Sequence, residues 1–323
     1  MRFEDVGIER ANEATIVKAA TLLAQGALVA IPTETVYGLG ADATSDDAVA
    51  AIFAAKARPQ FNPLIVHVAG FEAAEKYVTF SPLATKLAAH FWPGALTLVL
   101  PRKQNCDLSL LVSAGLDTVA VRVPSAPVSL AILKLAGVPV AAPSANLSGT
   151  ISPTTAAHVE HSLGASIDMI VDAGTCNLGL ESTIVGFFDE GPVLLRPGAV
   201  STGEIEDVLG QLLGRHTSAD NNPQAPGQLP SHYAPRAKMR LNVNNVQADE
   251  ALLGFGPDMP ATSGLSINLS KTGRFDEAAA RLFSALHELD GSGVDIIAVM
   301  PIPNEGLGEA INDRLVRAAA PRD

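Results

Sequence analysis

Cysteine and aromatic residues are both scarce in this chain. Its two cysteines, Cys106 and Cys176, stand far apart and form neither a zinc-binding spacing nor a disulfide framework. We therefore expect two reduced thiols, as is usual in a cytoplasmic protein. Aromatic side chains make up 5% of the residues, whereas hydrophobic residues make up 47%, so the core is expected to be mainly aliphatic.

Positive charge is also in short supply. The chain has 22 Lys and Arg against 34 Asp and Glu, which gives a formal net charge of −12. Strong nonspecific binding to nucleic acids needs many cations against phosphates, so this composition argues against it. No apolar run approaches the roughly 18 residues of a membrane span. The N-terminal residues 1–5 are acidic and lack the apolar centre of a signal peptide. We expect no membrane association.

The common motifs for nucleotide binding and catalysis are missing as well. No G-x-x-x-x-G-K-S/T loop occurs, and spacing indicates no Ser-His-Asp triad, zinc motif or catalytic cysteine. Residues 38–43 do match G-x-G-x-x-A after an apolar run. A dinucleotide site there would need an acidic ribose partner about 20 residues later, and residues 60–64 contain none. The glycines of this segment are interpreted as turn residues.

Apolar runs alternate with helical patterns along the chain, which predicts an α/β protein. One such helix is predicted over 82–91, and another is predicted to start at Ser152-Pro153. A polar stretch rich in turn-forming residues separates two parts. We predict a catalytic domain over 1–211, a linker over 212–236 and a small Rossmann-like α/β domain over 237–323.

Two polar loops follow apolar runs that are predicted to be buried strands. Residues 32–40 read Pro-Thr-Glu-Thr-Val-Tyr-Gly-Leu-Gly, and residues 141–149 read Ala-Ala-Pro-Ser-Ala-Asn-Leu-Ser-Gly. Prolines and glycines fix such loops, and their hydroxyl groups can bind a small polar ligand. We therefore predict that both loops contribute to one binding site for such a ligand.

Several cationic side chains lie between these two loops in the sequence. Lys56 and Arg58 end a predicted helix, where they either complement the helix C-terminus or bind phosphates. His67 lies on a short predicted strand close to this pair. Arg122 lies among the apolar residues of a predicted strand. A buried arginine there needs an anionic partner, either a structural carboxylate or a carboxylate ligand. An inventory of hydroxyls, an amide and cations suits anionic substrates and catalysis by positioning and charge stabilisation.

Taken in order, these motifs resemble the threonylcarbamoyl-AMP synthase family, the YrdC-like enzymes of tRNA modification, in its long two-domain form. The similarity covers roughly residues 10–211, and residues 226–235 resemble the linker of the long form. The matching stretches are 32–40, 56–59 with 62–64, 92–94, 121–124, 143–149, 182–184 and 196–198. The resemblance implies a twisted, mixed sheet with helices and a central cleft. It also implies an enzyme that condenses L-threonine, bicarbonate or carbon dioxide, and ATP into threonylcarbamoyl-AMP and pyrophosphate.

The resemblance further implies roles for individual residues, together with Mg²⁺ accompanying ATP. Lys56 and Arg58 would be catalytic, stabilising the charge that develops on the phosphates. The residues expected to bind threonine are Thr33, His67, Arg122, Ala142 and Ser182. The residues expected to bind ATP are Lys56, Arg58, Asn62, Thr118, Ser144, Asn146, Ser152, Arg196 and Tyr233. Tyr233 would fold over the site from the linker, and a separate tRNA threonylcarbamoyltransferase machinery would use the product.

Two other classes of function stay open at this point. One is an RNA-binding module, because a YrdC-like cleft could accept nucleic acid, although the negative charge and the few aromatic residues weigh against it. The other is carbamoyl transfer through a carbamoyl adenylate, as in hydrogenase-maturation relatives. Those proteins carry acylphosphatase and zinc-finger-like modules, and the sequence shows neither.

Overall fold

Two β-sheets organise the chain in a computed structural model that describes residues 7–59, 62–215, 224–228 and 230–321. The helices are α1 Glu13–Ala24, α2 Asp46–Ala55, α3 Phe71–Ala74, α4 Pro82–Phe91, α5 Pro127–Ala136, α6 Ala156–Leu163, α7 Thr202–Leu209, α8 Phe275–Gly291 and α9 Leu307–Ala319. The strands are β1 Ile8–Arg10, β2 Val29–Ile31, β3 Gly38–Asp42, β4 Ile65–His67, β5 Leu96–Pro101, β6 Thr118–Arg122, β7 Val140–Ala141, β8 Met169–Asp172, β9 Thr183–Phe188, β10 Gly191–Arg196, β11 Gly214–Arg215, β12 Lys238–Arg240, β13 Ala251–Gly254, β14 Ser266–Asn268 and β15 Ile296–Val299.

The larger sheet mixes parallel and antiparallel strands, in the order β1-β8-β2-β3-β7-β4-β6-β5-β9-β10-β11. The smaller sheet has the order β12-β15-β13-β14, and its strand pairs are parallel. The mixed α/β fold predicted from the sequence is confirmed. Residues 214–215 form an edge strand of the larger sheet, although the sequence placed them in the linker. No described helix is both long and apolar enough to span a membrane.

Helix ends mostly follow the local sequence signals. Helix α2 begins after Ser45, whose side chain accepts a hydrogen bond from the Ala48 amide, and two aspartates occupy its first turn. Helix α4 has the predicted bounds. The predicted start of a helix at Ser152-Pro153 is wrong, because α6 begins at Ala156 with Thr155 as its cap. The Ser152 hydroxyl is used elsewhere, since it donates to the Glu181 carboxylate at 2.6 Å.

The polar segment 32–40 is only partly a loop. Its last three residues belong to strand β3, which pairs antiparallel with β2 and β7. A Cβ atom at Gly40 would lie 3.0 Å from Val140 Cγ1 and 3.1 Å from the Val29 carbonyl oxygen. This glycine therefore permits close packing inside the sheet, and its interpretation as a turn residue was wrong.

The two domains share a hydrophobic cluster. Aliphatic residues dominate the main core of the catalytic domain, as predicted. A second cluster joins Val36, Ile151 and Leu180 of that domain to the interior of the C-terminal domain, which includes Phe283 of α8. Because Val36 belongs to the first polar loop, the C-terminal domain packs directly behind the predicted site.

Candidate active site

A small cavity lies where the two polar loops, the strand ends and the linker meet. All five residues predicted to bind threonine line it, together with four of those predicted to bind ATP. The lining residues from both predictions are Thr33, His67, Arg122, Ala142, Ser182, Arg58, Ser144, Arg196 and Tyr233. The expectation that the loops at 32–40 and 141–149 form one site therefore agrees with the geometry.

Five residues predicted to bind ATP do not line this cavity. Four of them are buried beside the cavity and hydrogen-bonded close to it: Lys56, Asn62, Asn146 and Ser152. Lys56 donates to the carbonyls of Ser144 and Asn146. The Asn62 carbonyl accepts from Arg58, and the Ser152 hydroxyl donates to Glu181. Thr118 stands at the start of β6, at the opposite end of that strand from Arg122. The role of each of these residues in ATP binding stays a prediction.

Lys56 and Arg58 reach away from the helix that they follow. Lys56 Nζ donates to the carbonyl oxygen of Ser144 at 2.5 Å and also to that of Asn146. Arg58 donates to the carbonyls of Asn62 at 3.3 Å and Pro63 at 2.9 Å. Lys56 thus ties the end of α2 to the polar loop 141–149, and Arg58 ties it to the segment 62–63, so neither side chain caps α2.

These two cations lie almost completely buried, and burial controls their protonation. The pKa of Lys56 falls well below its usual value because burial disfavours the charged form and the Arg58 charge repels it. Burial likewise lowers the pKa of Arg58 to about 10. An anion bound beside this pair would stabilise both charges, so the arrangement favours a polyanionic ligand such as a triphosphate.

Arg122 has a carboxylate partner within the chain. Its Nη2 donates to Glu34 Oε1 at 2.6 Å, and its Nη1 donates to the Thr35 hydroxyl at 2.9 Å. Burial would raise the pKa of Glu34, but the charge and hydrogen bond of Arg122 outweigh it and lower the pKa. His67 lies beside this pair, and burial together with the Arg122 charge lowers its pKa to about 3. His67 is therefore neutral at physiological pH.

Hydroxyl groups complete the wall next to this ion pair. Thr33 Oγ1 donates to the Val36 carbonyl at 2.6 Å and accepts from the backbone amides of Thr35 and Val36, which fixes the turn of the first loop. Ser182 Oγ lies 2.7 Å from Thr97 Oγ1, and Arg196 donates to the Ser182 carbonyl at 2.9 Å. The wall thus carries hydroxyls, a neutral imidazole and guanidinium groups, which suits a small zwitterion with a hydroxyl side chain.

The described part of the linker covers the cavity. Arg196 Nη1 donates to the Pro226 carbonyl at 3.3 Å, and Tyr233 is 1% exposed with its backbone in the left-handed region at φ 63°. A bulky residue in that region is strained, so the surrounding packing must hold it there. The cavity volume is about 40 Å³, well below the roughly 300–1,000 Å³ typical of ligand pockets.

Six buried polar side-chain atoms have no hydrogen-bond partner among the described residues. They are Asn62 Oδ1 and Nδ2, Asn146 Oδ1, His232 Nδ1, Tyr233 Oη and Arg314 Nη2. Such atoms are rare in folded proteins, because each carries a desolvation cost. All six belong to residues that line the cavity or that contact its lining residues. Their concentration here supports a site for a polar ligand.

Comparison with known proteins identifies the family. The profile described as "Telomere recombination", for Sua5, YciO and YrdC, matches residues 21–198, and "Threonylcarbamoyl-AMP synthase, C-terminal domain" matches residues 200–320. The threonylcarbamoyl-AMP synthase of Bacillus subtilis is 42% identical over 96% of this chain and 94% of its own length. The chain belongs to the threonylcarbamoyl-AMP synthase family.

A solved structure of the same family has a closely similar fold. The crystal structure of Pyrococcus abyssi Sua5 complexed with L-threonine superposes with a TM-score of 0.88, at 39% identity over 96% of each chain. The Pyrococcus abyssi threonylcarbamoyl-AMP synthase is 39% identical over 97% of this chain and 96% of its own length. The family predicted from the ordered motifs is confirmed, with both domains of the long form.

Three charged residues of this synthase-family site were not predicted from the sequence. Glu34 lies within the polar segment 32–40, but its sequence context indicates no role for it. Glu181 precedes a quoted motif and lines the cavity. Arg314 lies on α9 and contacts Glu181 across a separation of 133 residues, and no local signal points to that contact.

Carboxylates for a metal ion are not available in the described part of the site. No group of three or more His, Cys, Asp or Glu among the described residues is placed to hold a metal ion. The carboxylate of Glu181, which lines the cavity, is already paired with Arg314, and that of Glu34, beside the cavity, is paired with Arg122. A magnesium ion would therefore need most of its oxygen ligands from substrate phosphates and water.

Proposed function

We infer that this protein is an L-threonylcarbamoyladenylate synthase, which makes threonylcarbamoyl-AMP and pyrophosphate from L-threonine, bicarbonate or carbon dioxide, and ATP. One observation carries the proposal most strongly. The five side chains expected to hold threonine line one cavity together with Arg58 and Arg196. The family membership and the threonine-bound structure of a 39%-identical relative support the same substrates.

The reaction would proceed in two steps. The threonine amine attacks carbon dioxide, forms an N–C bond and loses a proton to solvent, which gives a carbamate. A carbamate oxygen then attacks the α-phosphorus of ATP, the bond to the bridging oxygen breaks, and pyrophosphate leaves with the electron pair. The carbamate is itself a nucleophile, so no side chain has to act as a general base.

Binding and positioning would then be the task of the protein. Arg122 and the neutral His67 would orient the threonine carboxylate and hydroxyl, with Thr33, Ser182 and the small Ala142 shaping the pocket. Lys56, Arg58 and Arg196 would stabilise the charge that develops on the α-phosphate and on the departing pyrophosphate. In a site closed from water, each such contact is worth more than in solution. Mg²⁺ is proposed as a companion of ATP that neutralises phosphate charge.

The product would serve tRNA modification. A mixed anhydride of a carbamate and a phosphate is labile in water, so we propose that it passes to a separate threonylcarbamoyltransferase acting on tRNA. The cytoplasmic location predicted from the cysteine content would bring the two enzymes together. The net charge of −12 supports transfer through that partner rather than direct tRNA binding by this chain.

Pyrophosphate release tests the proposal. The purified protein with ATP and Mg²⁺ should release pyrophosphate only when threonine and bicarbonate are both present. Omitting either one should reduce the rate to background. Equal release without threonine would mean a plain ATPase, whereas release that needs carbamoyl phosphate instead of threonine would favour the carbamoyltransferase alternative. Retention of tRNA on a filter at physiological salt would support the RNA-binding alternative.

A further inference from the structure

Arg314 is a fully buried cation that the C-terminal domain contributes to the wall behind the cavity. It stands on α9, and its side chain is 0% exposed. Its Nε donates to Glu181 Oε2 at 2.8 Å, and its guanidinium carbon lies 5.0 Å from the centre of the Tyr233 ring. One side chain thus contacts both a residue that lines the cavity and the aromatic residue that covers it.

Glu181 depends on this contact for its charge. Burial would raise the pKa of Glu181, but the Arg314 charge, followed by that of Arg196 and the hydrogen bond from Ser152, lowers it. Without Arg314, the Glu181 carboxylate would lose the largest of its compensating charges at the edge of a site lined by Arg58 and Arg196. Such a carboxylate would repel a polyanion and compete for the same guanidinium groups.

Tyr233 depends on the same cation for its position. Its ring packs against His232, with centroids 4.1 Å apart, and against Phe283 of α8 at 5.7 Å. The Arg314 guanidinium lies within the distance of a cation–π contact with the ring. The Tyr233 backbone is strained and its hydroxyl has no partner among the described residues, so the contacts with the ring act together with the flanking backbone hydrogen bonds to hold it. The His232 amide donates to the Arg317 carbonyl at 3.2 Å, and the Ala234 amide donates to the Gly149 carbonyl at 2.8 Å.

We propose that Arg314 is a positioning residue through which the C-terminal domain holds the linker closed over the site. Arg314 holds both Glu181 and Tyr233 in place. The same side chain therefore keeps Tyr233 over the cavity and neutralises the Glu181 carboxylate near the residues expected to bind phosphates. This gives the C-terminal domain a task that its sequence did not reveal. Arg314 acts through Glu181 and Tyr233 rather than through direct contact with a substrate.

Chymotrypsin cleavage after Tyr233 tests the proposal without any need for turnover. The full-length chain with Arg314→Gln should be cut between Tyr233 and Ala234 at least about 10-fold faster than the parent, because one partner of a buried ion pair has been removed. Glu181→Gln removes the same ion pair from the side of the catalytic domain and should also speed cleavage. If one of the two variants fails to fold, the other still tests the proposal. Thermal unfolding of each variant verifies that the rest of the chain is folded.

Glu309→Gln is the matched control. Glu309 stands on the same helix and also bridges the two domains, but its partners are Thr202 and Arg215 instead of Glu181. The proposal expects this variant to be cleaved like the parent. If Arg314→Gln and Glu181→Gln are both folded and cleaved at the parental rate, or if Glu309→Gln accelerates cleavage as much as they do, the proposal is wrong.

A turnover experiment rests on the proposed function and tests the consequence for catalysis. Arg314→Gln should raise the KM for ATP and release several-fold more free AMP per pyrophosphate, because water reaches the adenylate. Arg314→Lys should restore part of the KM, since it keeps the charge. Failure of the parent enzyme to release pyrophosphate would count against the proposed function, while the cleavage result would still decide the role of Arg314.

Discussion

Arg122, which lines the cavity, forms a buried ion pair with Glu34, with 2.6 Å between Nη2 and Oε1. The remaining arginine nitrogens are also engaged, because Nη1 donates to the Thr35 hydroxyl and Nε donates to the Gly94 carbonyl at 3.1 Å. Of the two partners that the sequence allowed, the structural carboxylate is the one observed. A threonine carboxylate would have to share this guanidinium with Glu34.

Arg122→Lys should raise the threonine concentration needed for half-maximal pyrophosphate release by about 10-fold, because lysine keeps the charge but loses the planar, two-pronged fit. The loss of geometry around Glu34 should also lower the thermal unfolding temperature. Threonine titrations and thermal melts measure the two effects separately.

Arg240→Lys provides the control for this substitution. Arg240 makes a similar two-pronged contact with Glu250 in the C-terminal domain, away from the cavity. It should leave the threonine response unchanged. If Arg122→Lys lowers only the unfolding temperature, as a merely structural arginine would, then Arg122 does not bind threonine.

Arg58→Gln should reduce turnover by about 100-fold or more, since it removes one charge from the phosphate side of a buried site. The two backbone carbonyls that Arg58 contacts can still accept from the glutamine amide, so the fold should persist. Lys18→Gln is the matched control, because Lys18 is an exposed cation paired with Glu9. If Arg58→Gln turns over at nearly the parental rate, then Arg58 has only a structural role, which is to tie the loop at Asn62 to α2.

Local signals predicted the elements and the inventory of the site well. Caps, prolines and apolar runs placed α4 at its observed bounds, because helix ends depend on neighbouring residues. The order of motifs also predicted that His67 and Arg122 lie near Ser182. Strand order brings these residues together, since β4 pairs with β6, and β5 joins β6 to β9.

Partners distant in sequence were beyond this kind of prediction. Glu34 and Arg122 are 88 residues apart, and Glu181 and Arg314 are 133 residues apart. No periodicity or spacing encodes which carboxylate reaches which guanidinium once the domains pack. The wrong helix start at Ser152 has the same origin, because its hydroxyl bonds to a distant glutamate instead of capping a helix.

Acid should loosen the contact between the two domains. His158 of α6 and His287 of α8 stack with ring centroids 3.9 Å apart. Burial and the neighbouring histidine lower the pKa of His158 to about 4, and burial lowers that of His287. Between about pH 6.5 and pH 4 the unfolded chain binds more protons at these rings, so the free energy of unfolding should fall as the pH falls.

Urea unfolding at several pH values between 7.5 and 4.5 measures this dependence. His158→Phe keeps a flat ring that cannot be protonated, and it should make the loss of stability with acid less steep. The exposed His90 provides the control, since His90→Gln should leave the pH dependence as it is. Identical pH dependence in all three proteins would show that the stacked pair carries none of the effect.

Gly227→Ala should open the linker. Gly227 has φ 84°, and a Cβ atom there would lie 2.8 Å from Tyr233 Oη and 3.0 Å from Arg196 Cδ. The added methyl group would therefore push Tyr233 out of its position or push the linker away from Arg196. Chymotrypsin should then cut after Tyr233 faster than in the parent, and more free AMP should appear for each pyrophosphate released, because the adenylate is less protected from water.

Gly210→Ala separates this clash from ordinary backbone strain. Gly210 ends α7 with φ 75°, but nothing lies within 4 Å of its virtual Cβ, so alanine there adds only the left-handed penalty of about 1 kcal/mol. Both variants should lose similar stability from strain, while Gly227→Ala alone should expose Tyr233. If Gly210→Ala speeds cleavage equally, or if Gly227→Ala leaves cleavage and AMP release unchanged, the contact between Gly227, Tyr233 and Arg196 does not hold the linker over the site.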